Sequence, residues 1–180
     1  MIWKIDPTHS HVSFSIRVMG FGTTKGHFNV LRGHLHIDEQ NPASSWVEAE
    51  VDAASIDTHN KLRDAHLRSA AFFAVKKYPT IVFESTNVEH ASDQDYKVTG
   101  NLTLHGVTKP ATFDVAYRGQ RTIMGARTGL TAKAKINRND FGLGQGMALQ
   151  FAASEMVTIE IALEIVQTSA QAREAVAIAE

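Results

Sequence analysis

The sequence predicts an all-β fold: an antiparallel meander of about eight strands closed into a barrel, with one inserted helix at about residues 60–73. Three observations carry this reading. Apolar and polar residues alternate in short runs along the 180-residue chain, the period of strands with one buried face. Gly, Pro, Asn and Asp separate the runs at hairpin-like intervals. One segment, Asp57 to Phe83, departs from that period and reads as helical.

Taken in order, Trp3 and Ile5 open a short strand, and Asp6-Pro7-Thr8 forms a turn in which Pro fixes φ and Asp can accept from the backbone ahead. Val12, Phe14, Ile16 and Val18 then share one face, and Gly20 and Gly22 end the run. Phe28 and Val30 differ in parity from Leu35 and Ile37, which predicts a bulge near Gly33. Asn41-Pro42 is a turn, and Trp46 to Val51 is a strand. Ile81 and Phe83 begin the next strand, which is expected to give way to a polar turn region from Asn87 to Asp95. Val98, Leu102 and Leu104 alternate, and a hairpin bending at Gly106 leads to Phe113 and Val115. Leu130 to Ile136 and Val157 to Ile165 complete the series, with a glycine-rich loop from Asn137 to Gly146 between them. Residues 1–167 form one domain, and 168–180 are an Ala-rich tail or short helix.

In the helical segment, Leu62, Ala65, Ser69 and Phe72/Phe73 fall on one face and Lys61, Asp64 and Arg68 on the other. Asp57, Thr58 and Asn60 are candidate N-caps, Asp64 and Arg68 can pair one turn apart, and a break is expected near Ser69. Pro79 ends the segment, because it lacks an N–H and pushes Tyr78 out of the helical region.

Composition excludes several classes. There is no Cys, so neither disulfides nor thiolate metal sites are available. With 18 basic and 19 acidic residues, net charge is −1, and no electrostatic footprint for nucleic acid appears. The longest apolar run, Ala70 to Val75, is far below the roughly 20 residues of a bilayer span. The N-terminus enters a strand pattern without a signal-type apolar stretch, so a cytoplasmic location is expected, or a periplasmic or secreted one if a leader was removed.

Few motifs point to catalysis. His9-x-His11 and His34-x-His36 each put two imidazoles on one strand face, with His27 a further candidate, but no carboxylate stands at matched spacing, so no metal is expected. Asp140-Phe141-Gly142 and Gly142-x-Gly144-x-Gly146 lack the contexts that give kinase and dinucleotide motifs their meaning. Ser10 lacks a nucleophile elbow. His59, Arg63 and His66 sit at helical spacing, either lining a cavity mouth or forming a solvated face. Periodicity alone also leaves open whether the barrel is filled by its own side chains or holds a ligand.

Five segments occur together in order: Asp6-Pro7-Thr8-His9-Ser10; Phe14-Ser15-Ile16-Arg17; Arg63-Asp64-x-His66-Leu67 with Phe72-Phe73 and Tyr78-Pro79; Gly100 to Pro110 (GNLTLHGVTKP); and Arg138-Asn139-Asp140-Phe141-Gly142. In these the chain resembles the YceI-like, polyisoprenoid-binding family over nearly its whole length. The resemblance implies a lipocalin-like extended barrel whose tunnel holds a long isoprenoid of the quinone or polyprenyl type; with so few motifs pointing to catalysis, neither catalysis nor a cofactor is expected. Many such relatives are exported. Where the family often has His after the Phe-x-x-Arg strand, this chain has Val18, which makes the site greasier.

Strand parity and the resemblance together give the expected ligand-binding set: Phe14, Ile16, Val18, Phe28, Phe83, Leu102, Leu104, Phe113, Val115, Leu130, Ile159 and Ile161, with Arg63, Asp64 and His66 near the ligand's polar end. The expected partner is a long-chain isoprenoid lipid, and a homodimer is left open. The alternatives are a small metal-dependent or lipid-head-group-modifying enzyme, and a ligand-free stress or interaction domain.

Overall fold

The computed structural model describes residues 2–117, 119, 121–122, 126–144 and 153–168. Twelve strand segments and one α-helix follow one another as β1 (Ile2–Ile5), β2 (His11–Val18), β3 (Gly22–Phe28), β4 (Leu31–His36), β5 (Trp46–Asp52), β6 (Ile56–Asp57), α1 (Lys61–Arg68), β7 (Thr80–Ser92), β8 (Asp95–Leu104), β9 (Val107–Tyr117), β10 (Arg121–Thr122), β11 (Ala126–Asn137) and β12 (Ala153–Gln167). Among the described residues the pairings are antiparallel, and β11 pairs with both β9 and β12, so the sheet closes on itself.

The barrel has eight strand positions, four of them occupied by two successive segments, the fourth being β9 and β10 along β11. The 15-residue β12 pairs along one half with β2 (Ile159↔Phe14) and along the other with β1 (Ile5↔Ile165). Likewise β3 and β4 together face β2 and β1, and β6 and β5 face β3 and β4. The joints are hydrogen-bonded rather than loose. Ser10 Oγ donates to the Glu164 carbonyl and accepts its N–H, bridging the β1–β2 joint to β12. The Val30 N–H donates to Ser55 Oγ and the Asp52 N–H to the Val30 carbonyl, tying the second joint to the third.

These joints correct two sequence expectations. The parity change falls at Asn29–Val30, so that Phe28 and Leu31 both point inward, and Gly33 is an ordinary paired position of β4. Gly33 serves close approach instead: a Cβ there would lie 2.2 Å from the Glu48 carbonyl oxygen and 3.0 Å from Ile5 Cδ1. Gly33→Ala is therefore expected to lower stability by about 2 kcal/mol or more through forced backbone displacement, checked by denaturant titration. The second correction concerns β7, which runs on through Asn87–His90 to Ser92. Its polar residues there face solvent while β8 pairs with it throughout, and Val88 keeps the inward face apolar.

At the β1–β2 joint, Asp6 accepts the Thr8 N–H and meets His9 Nδ1 at 3.0 Å, and Arg127 bridges Asp6 and Glu164. The His9 hydrogen bond, followed by that from Thr8, holds the Asp6 carboxyl down to about 2. Asp6 in turn raises His9. A depressed carboxylate contributes stability above its ordinary 3.8, lost as pH falls toward about 2. A raised imidazole contributes fully below its ordinary 6.5, and that share fades as pH rises through its folded value. Melting temperature against pH should fall off on both sides of a window between these values, and Asp6→Asn should flatten both limbs.

The helix is shorter than its sequence pattern. It spans Lys61–Arg68, capped by Asn60 Oδ1 accepting the Arg63 N–H, and Ser69 is already extended; turns fill the stretch to Pro79. Its buried face is also not the expected one. Leu62 is 84% exposed and Ala65 is exposed, whereas Asp64 is 6% exposed and Leu67 meets the core. Two networks dictate this. Asp64 Oδ1 accepts both the N–H and the hydroxyl of Thr58, at 2.9 and 2.6 Å. Arg68 does not pair with Asp64 but donates to the carbonyls of Ala54 and Ile56 at the end of the third joint. Polar docking thus outweighs a weak apolar stripe on an eight-residue helix. Thr168 is the one described residue of the expected tail; 169–180 lie outside the described residues.

Candidate ligand-binding tunnel

Among the described residues, the inward faces of the barrel line two apolar cavities. The larger, about 490 Å³, lies under α1, and the smaller, about 150 Å³, lies toward the opposite end. Leu31, Ala49, Phe83, Phe113 and Ile161 line both, so the two cavities adjoin at a shared waist, as two chambers of a candidate tunnel. Small residues stand at this waist beside the large ones. Gly33, Ala49 and Phe83 form one cross-strand row, so a single ring, Phe83, projects from three adjacent strands and stacks edge-on against Phe113 at 5.0 Å.

The upper chamber gathers Phe14, Ile16 and Val18 from β2, Phe28 from β3, Leu102 and Leu104 from β8, and Ile159 from β12. Phe28 sits against Phe14 (5.7 Å) and edge-on to Phe73 (5.9 Å), which continues the apolar wall into the turns after α1. Val115 and Leu130 line the lower chamber, which ends near Tyr117, whose hydroxyl donates to Glu39 at 3.0 Å. Burial, reinforced by Glu39, pushes the Tyr117 phenol well above its ordinary value, so it stays a neutral donor.

Polar groups collect at the mouth of the upper chamber. Arg63 and His66 line it from α1, with Thr58 beneath them. Arg63 donates from Nε to Thr58 Oγ1 and from Nη2 to the Thr58 carbonyl, both at 2.7 Å, and His66 stands edge-on to Phe72. Asp64 does not line the tunnel; its carboxylate is turned onto Thr58, so it positions Thr58 and, through it, Arg63. Arg138, only 4% exposed, lines the chamber and donates to the carbonyls of Leu143, Gly144, Ser154 and Ala153, holding the β11 end to the start of β12.

Several lining residues were not in the sequence-derived set: Ala49, Leu67, Phe72, Phe73 and Arg138 among them. Phe73 was legible from the helical spacing. Ala49 carried no signal beyond its place in a strand, and a charged side chain such as Arg138 reads as exposed by default. The structure gives the other singled-out groups structural surroundings. Ser10 is spent on the β12 bridge, and Asp140-Phe141-Gly142 ends a 3-10 turn with Gly142 left-handed at φ 69°. His36 stacks on Trp46. Among the described residues, no helix is long and apolar enough to cross a membrane.

A closed antiparallel barrel enclosing an apolar tunnel under one helix is the architecture of barrels that hold a hydrophobic ligand. The chain belongs to the YceI family: the model of the YceI-like domain matches residues 3–165. It is 38% identical over 169 residues to Protein YceI of Salmonella arizonae, covering 92% of this chain and 86% of that one. Among solved structures it is similar to BcnA of Burkholderia cenocepacia (TM-score 0.81, 25% identity, 89% of this chain and 98% of that one). It also matches the YCEI protein of Campylobacter jejuni (TM-score 0.74, 26% identity, 83% and 88%). A polyisoprenoid binding domain from Saccharophagus degradans shares the fold at 18% identity, with TM-score 0.70 and coverage of 92% and 98%.

Proposed function

We propose that this chain binds one long-chain isoprenoid lipid, of polyprenyl or isoprenoid-quinone type, in its barrel tunnel, and serves its storage or transport as a binding protein rather than an enzyme. The observation that carries this reading is the waist: two apolar cavities meet at five shared lining residues, an arrangement that suits an elongated chain threading from one to the other better than a compact ligand. Each buried CH₂ is worth roughly 0.8 kcal/mol, so about ten carbons supply ~8 kcal/mol before association costs. Affinity needs few hydrogen bonds, and selectivity falls on length and width. A head group at the Arg63–His66 mouth, with the chain threading the waist toward Tyr117, suits the distribution of polar groups. The Saccharophagus degradans barrel is described as polyisoprenoid-binding, and the tunnel lining is what extends such a ligand to this chain.

Mass spectrometry of an organic-solvent extract of the purified protein tests the class. One isoprenoid species approaching one per chain is expected. A co-purifying small polar metabolite, or unbranched acyl chains alone, would contradict the reading.

A further inference from the structure

We propose that His27, Asp57 and His59 form a binding site for one divalent transition cation of the zinc class on the outer wall beside the tunnel mouth. Sequence spacing does not predict it, because no carboxylate stands at matched spacing to the histidine pairs. The fold supplies one from 30 positions away in the chain: His27 and Asp57 are direct partners across the β3–β6 pairing. His59 follows two residues later, and its backbone at φ 58° is left-handed, a conformation uncommon for a residue with a Cβ. That turn carries its ring to within 5.3 Å, centroid to centroid, of the His27 ring.

Donor atoms converge on one point. His27 Nε2 lies 3.8 Å from Asp57 Oδ2, and His59 Nδ1 lies 3.8 Å from Asp57 Oδ1, with all three donor groups within 4.8 Å of one another. Donors at about 2.0–2.2 Å from a tetrahedral zinc stand roughly 3.3–3.5 Å apart. Closing the difference needs only small side-chain rotations, and the side chains of His27 and His59 are 33% and 78% exposed, free to make them. Two imidazoles and a carboxylate leave a coordination position open to water. The second shell is in place: the His59 N–H donates to Asp57 Oδ1, and the Asn29 side chain also reaches the Asp57 carboxylate.

A second three-membered cluster in the barrel makes a useful contrast. Asp6, His9 and Glu164 also converge, but Arg127 already bridges both carboxylates and supplies the positive charge a cation would bring. Among the described residues, the ion pairs of Asp57 are to the two histidines alone. The site also has a reach beyond its own atoms. Thr58, between Asp57 and His59, points inward to hold Asp64 and Arg63 at the tunnel mouth. A bound cation would pin β3, β6 and the start of α1 together and stiffen that mouth.

The test uses tag-free, chelator-stripped full-length protein titrated with Co²⁺, followed by its visible ligand-field absorption, and then with competing Zn²⁺. One saturable equivalent, displaced by Zn²⁺, is expected, together with a rise in melting temperature on adding Zn²⁺. His27→Gln and His59→Gly should each weaken binding on the order of tenfold or more and abolish the thermal shift; His9→Gln should change neither. His59→Gly controls for folding, since glycine relaxes the left-handed turn while removing the imidazole. Failure of the folded wild-type chain to take up a saturable equivalent would overturn the proposal, as would binding that His27→Gln and His59→Gly leave unchanged. Neither outcome bears on the lipid reading.

Discussion

Ala49→Phe is expected to close the waist and cut the tunnel in two, weakening a long-chain lipid while sparing a short one. Ala49 lines both chambers and stands between Gly33 and Phe83 in one cross-strand row, so a ring there projects into the waist the two chambers share. If about three ligand carbons lie below the waist, losing them removes ~2.4 kcal/mol of burial, roughly fiftyfold in affinity. Overpacking also costs the protein about 1–3 kcal/mol, so thermal melts must accompany competition binding with short and long chains. Equal loss for both would mean that the substitution damages the fold. An unchanged affinity for the long chain would mean that the lower chamber is not part of the site.

Asp64→Ala is expected to destabilise the protein by about 3 kcal/mol and to loosen the tunnel mouth. The side chain is buried, and two Thr58 donors end on one of its oxygens. Hydrogen bonds to charged groups are worth about 1.5–3 kcal/mol, and removing their acceptor leaves the donors unpaired. Arg63 depends on the same Thr58 through two further bonds, so the loss spreads to a charged residue that lines the upper chamber. Asp64→Asn, which keeps one acceptor oxygen, should cost less. Urea titration should show a lower midpoint with little change in slope, and a shift under about 0.5 kcal/mol would contradict the bracing role.

The barrel was legible in the sequence because its signal is repeated. Each of β2, β8, β9, β11 and β12 alternates over many residues, and parity put Phe14, Leu102, Phe113, Leu130 and Ile161 on one wall, where the structure has them. What periodicity does not encode is a break in a strand. The Asn29–Val30 joint looks like a bulge at the nearest glycine, since nothing local reveals that Ser55 will bond Val30. The helix misled for a related reason: its eight residues carry a thin apolar stripe, and the long-range partners of Asp64 and Arg68 decide which face turns inward. The tunnel itself was undecidable from pattern, because a filled barrel and a hollow one share the same alternation. The difference lies in small residues such as Gly33 and Ala49 falling in one cross-strand row, a fact of register.

The central claim, one continuous apolar tunnel that holds a single chain, is tested most directly by a length series. Competition binding with isoprenoid alcohols of increasing chain length should show affinity rising steeply, about tenfold for every two added carbons at ~0.8 kcal/mol each. It should then level off once both chambers are filled, with the plateau reached earlier in Ala49→Phe. Affinity independent of length, or highest for the shortest alcohol, would contradict the account.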